Sequence, residues 1–248
     1  MTASSALAAS ATDPSGGLLT ADLLSFGAFG VAGSGLVTAV TADGLRSPGP
    51  VQEIPVALLR AGLESALSAR RFTAVKIGIV PSAPAVRAIA RGLAHLPAPR
   101  VLHPGFAPRS GVRLVRSAAL DAFVRDLFPG AALVVLGQAE ASALAGFPIR
   151  EENDVKAAAR RVQALGPAAV LVTGGGEAGD RIVVGLLDGR TWHRFDSNSL
   201  PAPTDLAAGD RLSAAVTALL AIGETLPDAV ARARSWGSGL PSTLYGNP

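Results

Sequence analysis

The chain has 248 residues, 49% of them apolar and 17% charged, which is too apolar for a disordered protein and enough for a large buried core. Lys and Arg number 22 against 19 Asp and Glu, a net charge of +3 spread along the whole chain. A pI near 10.1 of that diffuse kind does not provide the clustered basic face of a nucleic-acid binder. With no cysteine there is no disulfide framework, no thiolate metal site and no cysteine nucleophile.

The first eleven residues are small and mixed in polarity, and the first positive charge is Arg46. A secretory leader needs a basic start and is not expected. No run of 18 apolar residues occurs, so no membrane span is expected either, and the expectation is a cytoplasmic protein. Next comes Thr12-Asp13-Pro14-Ser15-Gly16-Gly17, followed by an apolar helical stretch that contains Asp22. Apolar runs then predict strands at 34–40, 74–80, 100–103, 132–136 and 168–173. Between them, apolar residues at three- and four-residue spacing predict helices at 53–69, 83–96, 117–128 and 151–165. The last opens on acidic residues and stops at Gly166-Pro167, as a helix dipole and a breaker require. Segments 181–188 and 191–196, joined through Gly189, predict an antiparallel hairpin, and helices are expected at 209–222 and 227–236. Strands alternating with helices of ten to fifteen residues predict an α/β fold, a parallel sheet covered on both faces. With loops at 46–50 and 97–99 but no long linker, residues 1–248 read as one domain.

Gly174-Gly175-Gly176-Glu177-Ala178-Gly179 satisfies a dinucleotide-binding pattern literally. A strand follows instead of a helix, however, and the pyrophosphate would have no helix N-terminus to rest on. A glycine-rich turn between strands is the expectation. The chain carries neither the glycine-lysine phosphate loop nor the G-x-S-x-G elbow of hydrolases. His95, His103 and His193 lack metal-ligand spacing; His103 ends a strand before Pro104, at the carboxyl edge where open α/β sheets bind ligands. At residues 203–215, small residues lead into an apolar-periodic helix. The free amides of Ala207, Ala208, Gly209 and Asp210 would form an anion site there, or Asp210 would be an ordinary helix-start acid. Asp22, among Leu19, Leu23, Leu24 and Phe26, is either a surface acid or a carboxylate that needs a partner.

These two clusters, in this order, resemble the hydroxymethylpyrimidine and phosphomethylpyrimidine kinases of thiamine biosynthesis, members of the ribokinase-like superfamily alongside pyridoxal kinases. That family opens with D-P-S-G-G-A-G-I-x-A-D-L, and this chain reads Asp13-Pro14-Ser15-Gly16-Gly17-Leu18-Leu19-Thr20-Ala21-Asp22-Leu23. Shorter matches follow at Phe29-Gly30, Val37-Thr38-Ala39-Val40, Lys76-Ile77-Gly78, Arg109-Ser110-Gly111, Glu140-Ala141 and Gly174-Gly175. The resemblance implies a three-layer α/β/α sandwich, a mostly parallel sheet with an antiparallel hairpin at one edge. It also implies transfer of the ATP γ-phosphoryl group to hydroxymethylpyrimidine or its phosphate, with ATP and Mg²⁺ as cofactors and a homodimer as the assembly. On the substrate side it implies Gly16, Gly17, Asp22, Lys76, Gly78 and Phe106, with Asp22 hydrogen-bonding the aminopyrimidine. On the nucleotide side it implies Thr173, Gly174, Gly175 and Arg109. Residues 207–210 correspond to the anion hole, where the last residue is Cys in typical pyrimidine kinases and Asp in ribokinases and pyridoxal kinases. Asp210 is therefore the expected base.

The chain departs from the pattern at three polar positions. The family's D-P-V-M is His103-Pro104-Gly105-Phe106, the Asn of its N-x-x-E is Gly137, and the Lys of its K-G-G-H is Thr173. No protein-held metal site is assigned from these residues. The departures keep a second reading open, a pyrimidine-binding or regulatory relative without activity, and a third, a pyridoxal or sugar kinase.

Overall fold

A computed structural model describes residues 4–14, 17–42, 50–106, 114–178, 181–197 and 208–238. Nine strands form one sheet: β1 (Ser5–Thr12), β2 (Ala32–Thr41), β3 (Val51–Glu53), β4 (Ala74–Ile77), β5 (Arg100–Leu102), β6 (Leu133–Gly137), β7 (Ala169–Ala178), β8 (Arg181–Asp188) and β9 (Thr191–Ser197). Their order is β3-β2-β1-β4-β5-β6-β7-β8-β9. Pairing is parallel from β2 through β7 and antiparallel for β3 at one edge and for β8 and β9 at the other. The expected α/β sandwich with its 181–188/191–196 hairpin is therefore present, with a second antiparallel strand at the opposite edge.

The helices are α1 (Leu18–Ala28), α2 (Val56–Ala69), α3 (Ala83–Gly92), α4 (Ser117–Ala122), α5 (Gln138–Ala145), α6 (Glu152–Gln163), α7 (Ala208–Ala221) and α8 (Leu226–Ser238). Strand alternation sorts side chains between two cores. On β1, Leu7, Ala9 and Ala11 join the core beneath α2 to α6, while Ala6 and Ala8 face α1 and α7. Because Ala6 and Ala8 are small, and Ala214 and Ala218 of α7 are too, helix and sheet backbones come close together. On β4, Val75 and Ile77 face the first core and Ala74 the second. Lys76, two residues from Ala74, therefore lies on the face covered by α1 and α7.

Several elements differ from expectation. β1 was not expected, because Ser and Ala carry little β-preference; it forms because both faces are covered. β3 and α5 were also unexpected. The helix expected at 117–128 changes to a π-helical turn at Phe123–Leu127, and the one expected at 83–96 stops at Gly92. The glycine-rich run is not a turn. β7 continues to Ala178, with register shifts between Val172 and Gly175 and between Gly175 and Glu177, and Gly174 takes φ +76°. Leu18, the first residue of α1, has φ +50° and is the one non-glycine among the described residues with positive φ.

The chain direction reverses at β1. It runs out through α1 to β2 on one side, and returns through α2 to β4 on the other. A crevice at the carboxyl ends of the strands beside such a switch is where open α/β sheets bind ligands. Among the described residues no helix is long and apolar enough to cross a membrane.

Candidate active site

Three charged side chains meet at that switch, although they are 54 and 134 residues apart in sequence. Lys76 Nζ donates to Asp22 Oδ1 in a short contact and to Asp210 Oδ1 at 3.2 Å. Lys76 and Asp22 are 0% exposed and Asp210 4%. β4 presents the lysine inward, α1 supplies Asp22 from its second turn, and α7 supplies Asp210 from its first. A buried ammonium is tolerated only when paired, and here two carboxylates flank it. Asp22 Oδ2 is buried with no hydrogen-bond partner. Burial pushes the Asp22 carboxyl up to about 7, against the opposing pull of Lys76 and with the help of the Asp210 charge. For Lys76, burial alone would lower the pKa, but Asp22 and then Asp210 outweigh it and hold the ammonium above its ordinary range. Of the two readings open for Asp22, the paired, buried carboxylate is the one found.

Next to Asp210, Gly209 faces an imidazole. An added Cβ at Gly209 would lie 2.6 Å from His103 Nε2 and 2.9 Å from its Cε1. The other ring nitrogen, Nδ1, lies 3.1 Å from the Val135 carbonyl oxygen. A carbonyl only accepts, so the ring hydrogen sits on Nδ1 and Nε2 is turned toward the first turn of α7. The position of the acid in the family's D-P-V-M pattern is thus held by an imidazole set against the helix start. Gly209→Ala is expected to displace the ring and destabilise the chain by about 1–3 kcal/mol, the usual cost of overpacking. His103→Ala in the same chain should restore most of that loss. Urea unfolding of the two single variants and the double reads the coupling, and additive losses would show that the contact does not matter.

The remaining expected residues lie along the carboxyl edges of neighbouring strands. Gly78 follows β4, and a Cβ there would lie 2.4 Å from Ser10 Oγ; its N–H donates to the Ala9 carbonyl at 2.8 Å. The glycine is required by close packing of β1 on β4. Phe106, after β5, is buried, and its N–H donates to Glu140 Oε1 at 2.7 Å. Glu140 Oε2 accepts the Gly137 N–H at 2.9 Å, so one buried carboxylate ties the exits of β5 and β6 together. Thr173, paired with Gly137 across β6 and β7, donates from Oγ1 to the Leu136 carbonyl at 3.3 Å. Gly174 and Gly175 continue β7. Gly17 caps α1, its carbonyl accepting the Thr20 N–H at 3.1 Å, and an added Cβ would come within 3.0 Å of Asp13 Oδ2. Ala208 opens α7. Gly16, Arg109 and Ala207 lie outside the described residues. The structure thus brings together Asp22, Lys76, Gly209, Asp210 and His103, and ranges Gly78, Phe106, Gly137 and Thr173 along the same edge. Sequence reasoning missed the pairing of Lys76 with two acids. A groove between α2 and α3, lined by Arg60, Arg87 and Arg91, lies on the opposite face of the sheet.

A doubly covered sheet with a buried acid at the start of the helix over its switch point is the arrangement of a ribokinase-like small-molecule kinase. The sequence profile of the phosphomethylpyrimidine kinase family matches residues 13–240, and the chain belongs to that family. It is 33% identical over 233 residues to the hydroxymethylpyrimidine/phosphomethylpyrimidine kinase of Rhizobium meliloti, covering 93% of this chain and 88% of the relative. It is 33% identical over 241 residues to the enzyme of the same description from Mycobacterium tuberculosis, covering 95% and 87%. Among solved structures, phosphomethylpyrimidine kinase from Clostridium difficile superposes with a TM-score of 0.82 at 26% identity, covering 94% of this chain and 97% of that one. Bacillus subtilis pyridoxal kinase, solved as an ADP complex, superposes with a TM-score of 0.88 at 28% identity, covering 100% and 97%.

A protein-held Mg²⁺ asks for oxygen ligands, carboxylates above all. Among the described residues no three of His, Asp or Glu converge. Both Glu140 oxygens already accept backbone N–H groups, and position 103 is an imidazole. The described residues do not fit such an ion.

Proposed function

We propose that the chain is a cytoplasmic, homodimeric kinase that transfers the γ-phosphoryl group of ATP to the hydroxymethyl oxygen of a hydroxymethylpyrimidine, or to a phosphate oxygen of its monophosphate. Asp210 accepts the hydroxyl proton as the oxygen attacks phosphorus. The free N–H groups of the first turn of α7, from Ala208 through Asp210, stabilise the charge that develops on the transferred group. Acceleration comes mainly from positioning and this electrostatic stabilisation. The acceptor lies on the β1 and β4 side, and the nucleotide along Gly137, Thr173, Gly174 and Gly175. The observation that carries the reading is Asp210 itself, an acid in the first turn of α7, held by Lys76 and 4% exposed. An acid suits an alcohol acceptor, which has a proton to lose.

Calorimetry with MgATP and with hydroxymethylpyrimidine, followed by an assay of ADP formation, tests it. Micromolar-to-millimolar MgATP binding and ADP release dependent on the pyrimidine are expected. Pyrimidine binding without any MgATP binding would instead support a binding or regulatory protein. His103 in place of the family's acid, and the two occupied oxygens of Glu140, favour that second reading.

A further inference from the structure

We propose that Asp22 is the terminal acceptor of the proton that Asp210 removes from the acceptor alcohol, and that Lys76 passes it across. The proposal rests on the kinase reading and assigns Asp22 a task separate from contact with the pyrimidine.

Two acids and one ammonium buried together carry a net charge of −1 unless a proton joins them. Such a charge is costly to bury. Asp22 has one oxygen on Lys76, one with no partner, and no exposure, so the cluster has a vacancy for a proton at its deepest member. Lys76 Nζ bridges both acids. Lys76 is the one charged residue of β4; Asp210 and Arg211 are those of α7; and β1 and β2, the other elements packed on α1, contain none. The upward displacement of Asp22 to about 7 means that at neutral pH the vacancy is partly open.

In the transfer the O–H bond of the alcohol breaks, and its electron pair forms the new O–P bond. The bond from phosphorus to the bridging oxygen breaks, its pair leaving on ADP, and the proton forms an O–H bond on Asp210. Lys76 then gives one N–H proton to the Asp22 carboxyl, where the unpartnered oxygen holds it while the other again accepts from the lysine, and Lys76 takes the proton of Asp210. The lysine ends as it began, Asp210 is again a carboxylate, and Asp22 is a neutral acid. When product leaves, the same steps in reverse return the proton to water.

Carboxyl-¹³C NMR of aspartate-labelled wild-type protein tests the vacancy without a variant. One aspartate is expected to titrate near neutral pH, and its signal should be absent in Asp22→Asn, where the amide oxygen still accepts from Lys76. In steady state, wild-type kcat should fall on the acid side of about pH 7. Asp22→Asn should lose that limb and lower kcat about tenfold or more. An active wild-type enzyme with no aspartate titrating near neutrality overturns the relay alone, as does an Asp22→Asn variant with an unchanged pH profile. A protein with the titration intact that phosphorylates nothing at any pH overturns the kinase reading, and the relay with it.

Discussion

Lys76→Met is expected to cost about 3–5 kcal/mol of folding stability, the range for removing one partner of a buried ion pair. Against a typical total of about 5–15 kcal/mol, that leaves the chain barely folded. The variant keeps the aliphatic volume and removes the charge, so Asp22 and Asp210 face each other without compensation. The loss should depend on pH with a defined sign. A carboxyl whose folded-state pKa lies above its unfolded value of 3.8 binds more protons in the folded chain over the interval between the two, so stability falls as pH rises through that interval. Without the lysine, which pulls the Asp22 carboxyl downward, the interval widens. Relative to wild type, the Asp22 part of the destabilisation should therefore grow as pH rises above about 7, where the wild-type carboxyl has ionised and the variant's has not, and be smaller at and below neutrality. Urea unfolding across that range measures it. Asp22→Asn in the same chain should recover a part of the loss, because one of the two uncompensated charges is gone. A Lys76→Met loss below about 1 kcal/mol, the range of an exposed pair, would contradict the buried triad.

Asp210→Asn is expected to lower phosphoryl transfer by about 10²–10⁴, the usual contribution of a positioned general base. The substitution preserves shape, and the amide oxygen still accepts from Lys76, so pyrimidine affinity by calorimetry should change by no more than about twofold. Because the Asp210 charge helps to raise the Asp22 carboxyl, the same substitution should lower the Asp22 titration. Unchanged turnover would exclude Asp210 as the base. A large loss of affinity with turnover preserved would make it a binding group instead.

The alternation of strands and helices was legible because apolar period changes from two to three and four along the chain. The β8 and β9 hairpin was legible from Gly189, which takes φ +56° as the turn requires. β1 was not, because Ser-Ala-Leu-Ala-Ala-Ser-Ala-Thr draws its extended form from the approach of α1 and α7, a tertiary effect. At the site, the opening of the helix that carries Asp210 was readable from the small residues before it. The grouping of Asp22 and Asp210 about Lys76 was not, because nothing local links residues 54 and 134 positions apart. One signal was present. Lys76 sits in the four-residue strand Ala-Val-Lys-Ile, every member of which is buried, and an ammonium in such a strand demands an acid on the element that covers it. The contact of His103 with Gly209 gave no sequence signal, since a missing Cβ reveals nothing about what fills its place.

Leu18 stands one helical turn before Asp22, and a left-handed leucine costs roughly 1–2 kcal/mol. That residue directly follows the glycine cap of α1 and lies four positions before the acid that meets Lys76. A glycine at residue 18 would remove that backbone cost, so Leu18→Gly offers a way to ask whether the strained start of α1 is tied to the placement of the buried acid one turn on.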